Sequence, residues 1–414
     1  MPESKKQYLP FLMWAIALSF FTFQFILRLW PGLMMNQIMS QYDIDVGDFG
    51  IIAAFYYYGY AGMQIPLAIF LERFGSRFIL TLFATICGLA TIAFTYTDNY
   101  YIAVLSRFFV GIGSAAGFLT LSKVISEWFP LQYTKMIGLS FSIGLMGAIY
   151  GGKPLGILLE NHNWRDVSYA LGAISILIGV ISYFTLHSPN IKKNTEVRQI
   201  LKLSDIKSVL SSKILWLIAL SNLLMVGALE GFADVWGVSY LTTAYNLAKA
   251  DAAGLTSLIF FGMLFGGPLL AFFAKKFGNY YVISFCALSI TLSISLILLN
   301  LSSNVIWLSI LFFIIGINCC YQVLIFALGE KLVESKNLGI CIAFLNSVNM
   351  MGGCFFHTII GKTINIFDNS TTNLQGLKIY SLEAYQYALA VVPACALAGG
   401  IIILLVNYLN YKKI

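Results

Sequence analysis

Six ionisable side chains interrupt long hydrophobic runs of this chain: Arg28, Arg107, Lys153, Glu230, Asp234 and His357. A charge at the centre of a membrane-spanning helix costs roughly 2.5–3.5 kcal/mol on insertion scales, so each needs a partner, water or a task. One such task is a polar site with a cation on one wall and a carboxylate on the other. Arg28 would hold a solute carboxylate through its planar fork, while Glu230 would meet an ammonium group or carry a proton. Asp234 follows Glu230 by four residues, which places both on one helix face. Glu230, Asp234, Arg107 and His357 are the candidates for handling a coupling proton, imidazole being the side chain whose charge changes near neutral pH. Gln24, Tyr57, Gln64, Asn222, Trp236, Asn318, Gln322, Asn346 and Asn349 put hydrogen-bonding tips into apolar runs and are candidates to line the same site.

Plainer roles exist for the same residues. Arg28, Lys153, Glu230 and Asp234 could form salt bridges that close one side of the protein. Arg28 could snorkel beside Trp30 and Pro31, Arg107 could bridge helices, and His357 could simply pack. Some of the amides need do no more than tie helices together.

The elements that must position these groups are helices in a bilayer. The chain is 59% hydrophobic and only 10% charged, with a mean hydropathy of +0.82; soluble domains carry about 25% charge. Apolar runs lie near 9–38, 48–71, 78–96, 100–124, 134–159, 166–187, 214–241, 252–274, 280–299, 304–329, 337–363 and 382–410. Each approaches or exceeds the roughly 20 residues a crossing requires. The first continues past Pro31 without a small-residue cleavage site, so it is expected to be a retained helix and not a signal peptide. An even count sets both termini on one side. Arg73, Arg77, Lys123, Lys135, Lys275, Lys276, Lys331 and Lys336 fall on that side, with Lys5, Lys6, Lys412, Lys413 and six basic residues of segment 188–213. That is eighteen of the twenty-five basic residues, against Arg165, Lys249, Lys362 and Lys378 opposite, where Asp43, Asp45 and Asp48 also lie. The asymmetry predicts cytoplasmic termini in a plasma membrane. It also explains the +7 net charge through topology and not nucleic acid.

Segment 188–213 is the one long basic connection and divides six spans from six. The expected units are 1–187, a linker 188–213 that could lie as a helix on the inner leaflet, and 214–414. A shift of 203 residues sets Phe74-Gly75 on Phe277-Gly278 and Ala68 on Ala271. Such duplication predicts two pseudo-symmetric six-helix bundles in an all-α polytopic protein.

The stretch Ala68-Ile-Phe-Leu-Glu72-Arg73-Phe-Gly75-Ser-Arg77 resembles the signature loop G-x-L-x-D-R-x-G-R of the major facilitator superfamily, with Ala and Glu replacing the first Gly and the Asp. Arg107-Phe-Phe-Val-Gly111-Ile-Gly113 is similar to the R-x-x-x-G-x-G pattern of that family's fourth helix. Gly144, Gly147, Gly151, Gly152, Pro154 and Gly156 are similar to its fifth-helix glycine and proline pattern, and Asn163-Trp164-Arg165 to its G-W-R entry to the sixth. The resemblance implies rocking-bundle transport about a central cavity lined by spans 1, 4 and 7. It implies gating roles for Lys153, Glu72, Arg73, Gly75 and Arg77, and a functional monomer. Phe25-Ile-Leu-Arg28-Leu-Trp-Pro31 also resembles the first helix of a bacterial subgroup that includes phagosomal importers of amino acids or nucleosides. The function expected is secondary active transport of a small polar metabolite, foremost proton-coupled amino-acid import. Organic-anion or nucleoside import, drug export, or a receptor on the same scaffold are the alternatives.

Other chemistries find no support. Gly147-Ala-Ile-Tyr-Gly-Gly152-Lys153-Pro154 approaches a phosphate loop, but Pro replaces the Mg²⁺-binding hydroxyl and no soluble strand precedes it. Gly111, Gly113 and Gly117 read as helix-packing glycines. The seven cysteines lack any C-x-x-C pair, and the three histidines lack metal spacing, so neither a metal, a cofactor nor an enzyme is expected. Asn369-Ser-Thr371 is a glycosylation sequon of consequence only in a eukaryotic host.

Overall fold

The computed structural model describes residues 3–187, 203–334, 337–368, 371–372 and 378–411. Among these, eleven helical stretches are long and apolar enough to cross a membrane. One of them, α3 (Val46–Tyr96), has 51 residues and two crossings, because Gly75 inside it is non-helical at φ 79°, ψ 165°. The crossings among the described residues therefore number twelve, and the chain is an all-α polytopic membrane protein. Among the described residues the single pairing of extended backbone joins Thr371–Thr372 to Lys378–Ile379 in a loop.

The other helices are α1 (Glu3–Leu33), α2 (Met35–Tyr42), α4 (Tyr100–Ser114), α5 (Ala116–Trp128), α6 (Tyr133–Tyr150), α7 (Lys153–Asn161), α8 (Trp164–Thr185), α9 (Leu203–Leu210), α10 (Lys213–Met225) and α11 (Gly237–Tyr245). They continue with α12 (Lys249–Phe277), α13 (Asn279–Leu298), α14 (Val305–Cys319), α15 (Tyr321–Glu330), α16 (Leu338–Ile366), α17 (Leu382–Leu389) and α18 (Val391–Tyr411). A π-helical segment, Gly227–Trp236, separates α10 from α11. Of the expected surface helix over 188–213, α9 is present; residues 188–202 lie outside the described residues, as do Lys336, Lys412, Lys413 and Asn369.

Short loops cap their own helices. Asp45, Asn99, Asn163, Asn304 and Ser381 each accept a backbone N–H of the helix that follows, satisfying donors that lipid could not. The expected duplication is visible in the backbone. Gly75 and its repeat partner Gly278 take the same left-handed conformation, φ 79° and 86°, at the turns between the second and third and the eighth and ninth crossings. At the first of these turns Glu72 pairs with Lys123 at 2.5 Å, and Arg77 lies over the Tyr183 ring at 4.6 Å.

Two groups of helices result. In the first, α1 packs on α5 and α6, and α3 on α4 and α8; in the second, α12 packs on α14, and α18 on α10 and α13. The groups meet where α3 runs along α16, where α6 and α7 cross α12, and where α1 touches the π segment. These seams are tightest toward the end that carries Asp43, Asp45 and Asp48, here the acidic-loop end. A Cβ on Gly50 would stand 2.6 Å from the His357 carbonyl oxygen, and one on Gly32 2.8 Å from that of Asp234. The same end is tied by Asn365 Nδ2 donating to Asp45 at 2.9 Å and by the Val46 N–H donating to the Tyr380 hydroxyl at 3.1 Å. This end of the molecule is closed.

Candidate functional site

Pro31 has no N–H, so the Leu27 carbonyl four residues earlier loses its helical donor. Arg107 of α4 supplies the replacement: its Nη1 donates to Leu27 O at 2.9 Å and its Nη2 to Arg28 O at 3.5 Å. The guanidinium lies over the rings of Tyr56, at 5.0 Å, and Trp30, at 6.0 Å. Arg107 thus caps the carbonyl that Pro31 leaves without a donor, next to Arg28 on α1. Its nearest polar partners are carbonyls and aromatic faces, not the carboxylates.

Arg28 crosses to the other helix group. Its Nη1 lies 3.2 Å from Glu230 Oε2, its Nε 2.8 Å from Asp234 Oδ2, and its Nη2 donates to Asp234 Oδ1 at 3.0 Å. Both carboxylates stand on the π segment, where the wider turn keeps residues four apart on one face. A π turn inside a membrane helix is uncommon and concentrates at functional sites; Phe356 of α16 presses against Gly227 and Gly231 within it. Tyr57 of α3 completes the cluster. Its hydroxyl hydrogen-bonds Glu230 Oε2 at 2.7 Å and also touches Asp234 Oδ2. Arg28 is 8% exposed, Asp234 3% and Glu230 2%, so the ions are shielded from bulk water. At 1.5 Å per residue, Tyr57 lies about 16 Å along α3 from the acidic-loop end, near the middle of a bilayer.

The remaining sequence candidates fall into three sets. Near the cluster, Gln24 accepts from the Tyr56 hydroxyl at 3.3 Å, and His357 packs its ring on Tyr57 at 5.3 Å and on Trp236 at 6.4 Å. Trp236 Nε1 and both His357 nitrogens are buried with no hydrogen-bond partner among the described residues. Gln64 is buried on α3 two turns beyond Tyr57, Gln322 is half-buried with its Nε2 unpartnered, and Asn346 is half-buried toward the opposite, basic-loop end. Asn222 and Asn349 are buried with neither amide atom partnered.

Two candidates lie elsewhere. Asn318 faces the α13–α14 seam, donating to Ser289 Oγ at 3.1 Å and to Ile314 O at 2.7 Å, because the amide satisfies itself within its own helix group. Lys153 stands apart from the Arg28 cluster but still forms a salt bridge between the two helix groups. It pairs at 2.8 Å with Asp251 at the exposed acidic-loop end, where water lowers the cost of both charges. Asp251 is a partner that sequence reading missed, since an acid at a span edge is unremarkable. The cysteines among the described residues are free thiols.

Comparison with known proteins places this geometry. The Major Facilitator Superfamily model matches residues 12–357. "Uncharacterized transporter YybO" of Bacillus subtilis is 23% identical over 264 residues, 58% of this chain and 60% of that one. The "Probable galactarate/D-glucarate transporter GudP" of the same organism is 24% identical over 275 residues, 58% and 60% of the two chains. The chain thus spans about three fifths of the length of these relatives. Among solved structures, a bacterial homologue of the human lysosomal transporter Spinster, inward-facing and unoccupied, superposes with a TM-score of 0.71 at 15% identity, covering 96% of this chain and 95% of that one. With the matched region, the twelve crossings and the paired Gly75 and Gly278 turns in agreement, the chain belongs to the Major Facilitator Superfamily.

Proposed function

We propose that this protein is a proton-coupled secondary transporter that imports a small polar metabolite, foremost an amino acid, by alternating access. The observation that carries the reading is the buried Arg28, paired across the two helix groups with Glu230 and Asp234 at once. Residues 1–187 and 214–414 act as the two rocking units and 188–213 as their tether. The basic loops and both termini face the cytoplasm of a bacterial inner membrane, and the closed acidic-loop end faces outward. One copy suffices for the cycle.

The mechanism follows from the charges. While Arg28 is bound to both carboxylates, the halves are held together near mid-membrane, beneath the closed acidic-loop end. A zwitterionic solute can replace that internal pairing, its carboxylate taking the guanidinium fork and its ammonium group a released carboxylate. A proton can neutralise the other carboxylate, so that no unpaired charge is left buried as the halves rock. Gln24, Gln64, Gln322 and Asn346 line the path of the solute toward the basic-loop end, and Trp236 stands on the acidic-loop side of the cluster beside Phe49. Glu72, Arg73, Gly75 and Arg77 hold the turn about which that end closes.

A second reading, import of an organic anion, is favoured by the partial similarity to a transporter named for galactarate and glucarate. An anion would take Arg28 from Asp234 without calling on a carboxylate for an ammonium group. Proteoliposome uptake of radiolabelled amino acids beside sugar acids and nucleosides separates the readings. Accumulation of an amino acid that a protonophore collapses supports the first; accumulation confined to acids or nucleosides overturns it.

A further inference from the structure

The hydrogen bonds at the centre of the site fix a proton count. A phenol carries one O–H, so Tyr57 donates along one line at a time, and ionised carboxylates only accept. The Tyr57 oxygen is nonetheless in contact with Glu230 Oε2 and Asp234 Oδ2 together. The arrangement is complete when one carboxyl carries a proton and donates it to Tyr57 while Tyr57 donates to the other. Charge leads to the same count. Arg28 brings one positive charge to two carboxylates, and Arg107 directs its Nη groups at backbone carbonyls.

We propose that Tyr57 is a proton relay: Asp234 and Glu230 hold one shared proton that enters at Asp234 and leaves from Glu230. This rests on the proton-coupled reading above and names the path within it. In the step, the Asp234 O–H bond breaks as its proton passes to the Tyr57 oxygen. The Tyr57 O–H bond breaks as its own proton passes to Glu230. The phenol is regenerated neutral, one proton has moved between carboxyls, and nothing is oxidised or reduced. Direction comes from placement. Asp234 lines a narrow cleft with Gly32, Gly152, Thr256 and Ser257 on the acidic-loop side. Glu230 lies about one turn nearer the basic-loop end, within electrostatic reach of Tyr60, Cys319 and Tyr321. The other titratable and charged groups facing the relay are Arg28 from α1, Tyr56 from α3, Arg107 from α4 and His357 from α16, whose ring contacts Tyr57 without a hydrogen bond.

The test combines two readouts on the full chain. Infrared spectroscopy of the solute-free protein at neutral pH should show a protonated-carboxyl C=O band that disappears in Asp234→Asn/Glu230→Gln and moves in Tyr57→Phe. In proteoliposomes, with whichever amino acid of the panel the unaltered protein accumulates, Tyr57→Phe should lower the ratio of gradient-driven accumulation to solute exchange on the order of a hundredfold. Asp234→Asn, which blocks the entrance while keeping the phenol, should do the same and serves if Tyr57→Phe misfolds. A missing band, a band indifferent to Tyr57→Phe, or an unchanged ratio overturns the relay. If the unaltered protein accumulates nothing while the band responds as stated, amino-acid import falls and the shared proton stands.

Discussion

Arg28 is asked to satisfy two carboxylates with three nitrogens, which only a planar fork can do. Arg28→Lys should therefore keep the fold but lower uptake on the order of tenfold, since an ammonium group cannot span both partners. Arg28→Ala leaves two acids buried without their cation and should destabilise the protein by about 3–5 kcal/mol, read from thermal unfolding in detergent. Arg107 makes a different claim, because its work depends on a missing N–H at Pro31. Arg107→Ala should cost about 1–3 kcal/mol by stranding the Leu27 carbonyl. In a Pro31→Ala background, where an N–H returns, the same change should cost measurably less; equal costs in both backgrounds would refute the assignment. These residues differ in how visible they are in sequence. Arg28, Glu230 and Asp234 announce themselves, since a charge in an apolar run carries its own energetic demand. Tyr57 is among the polar candidates of the sequence, but its contact with both carboxylates emerges only from the approach of α3 to the π segment. The job of Arg107 needs the knowledge that α4 faces the Leu27 carbonyl of α1.

At the scale of elements, closure of the acidic-loop end depends on helices meeting backbone to backbone. Gly50 of α3 lets the His357 carbonyl of α16 approach to where a Cβ would sit at 2.6 Å. Gly50→Ala should disfavour the closed state by about 1–3 kcal/mol through overpacking. The readout is a cysteine placed at Thr256, which is 4% exposed in the closed cleft. In the Gly50→Ala background it should react faster with a membrane-impermeant maleimide added from outside; an unchanged rate would show that the seam does not set closure. Span positions were legible because a bilayer demands length and apolarity, and the Gly75 and Gly278 turns because only glycine accepts their φ. The π segment was not. Its sequence, Gly227–Trp236, is as helical in pattern as its neighbours, and the approach of Phe356 to Gly227 and Gly231 within it comes from a distant part of the chain.

Across the whole molecule, one arrangement connects these parts: two helix groups, seams closed at the acidic-loop end, and a buried ion cluster spanning the groups near mid-membrane. The duplicated turn and the twelve apolar runs made the two helix groups readable from the chain alone. The closed end was not readable, since it depends on how the helices of the two groups meet. In the proposed cycle, breaking the Arg28 cluster is coupled to the movement of solute with a proton. Radiolabelled amino-acid uptake and external pH, recorded together in proteoliposomes for the unaltered protein and for Arg28→Glu, test this coupling. One amino acid should enter with alkalinisation of the medium, and Arg28→Glu should abolish both signals together. Full uptake by Arg28→Glu, or solute entry with no proton movement, would contradict it.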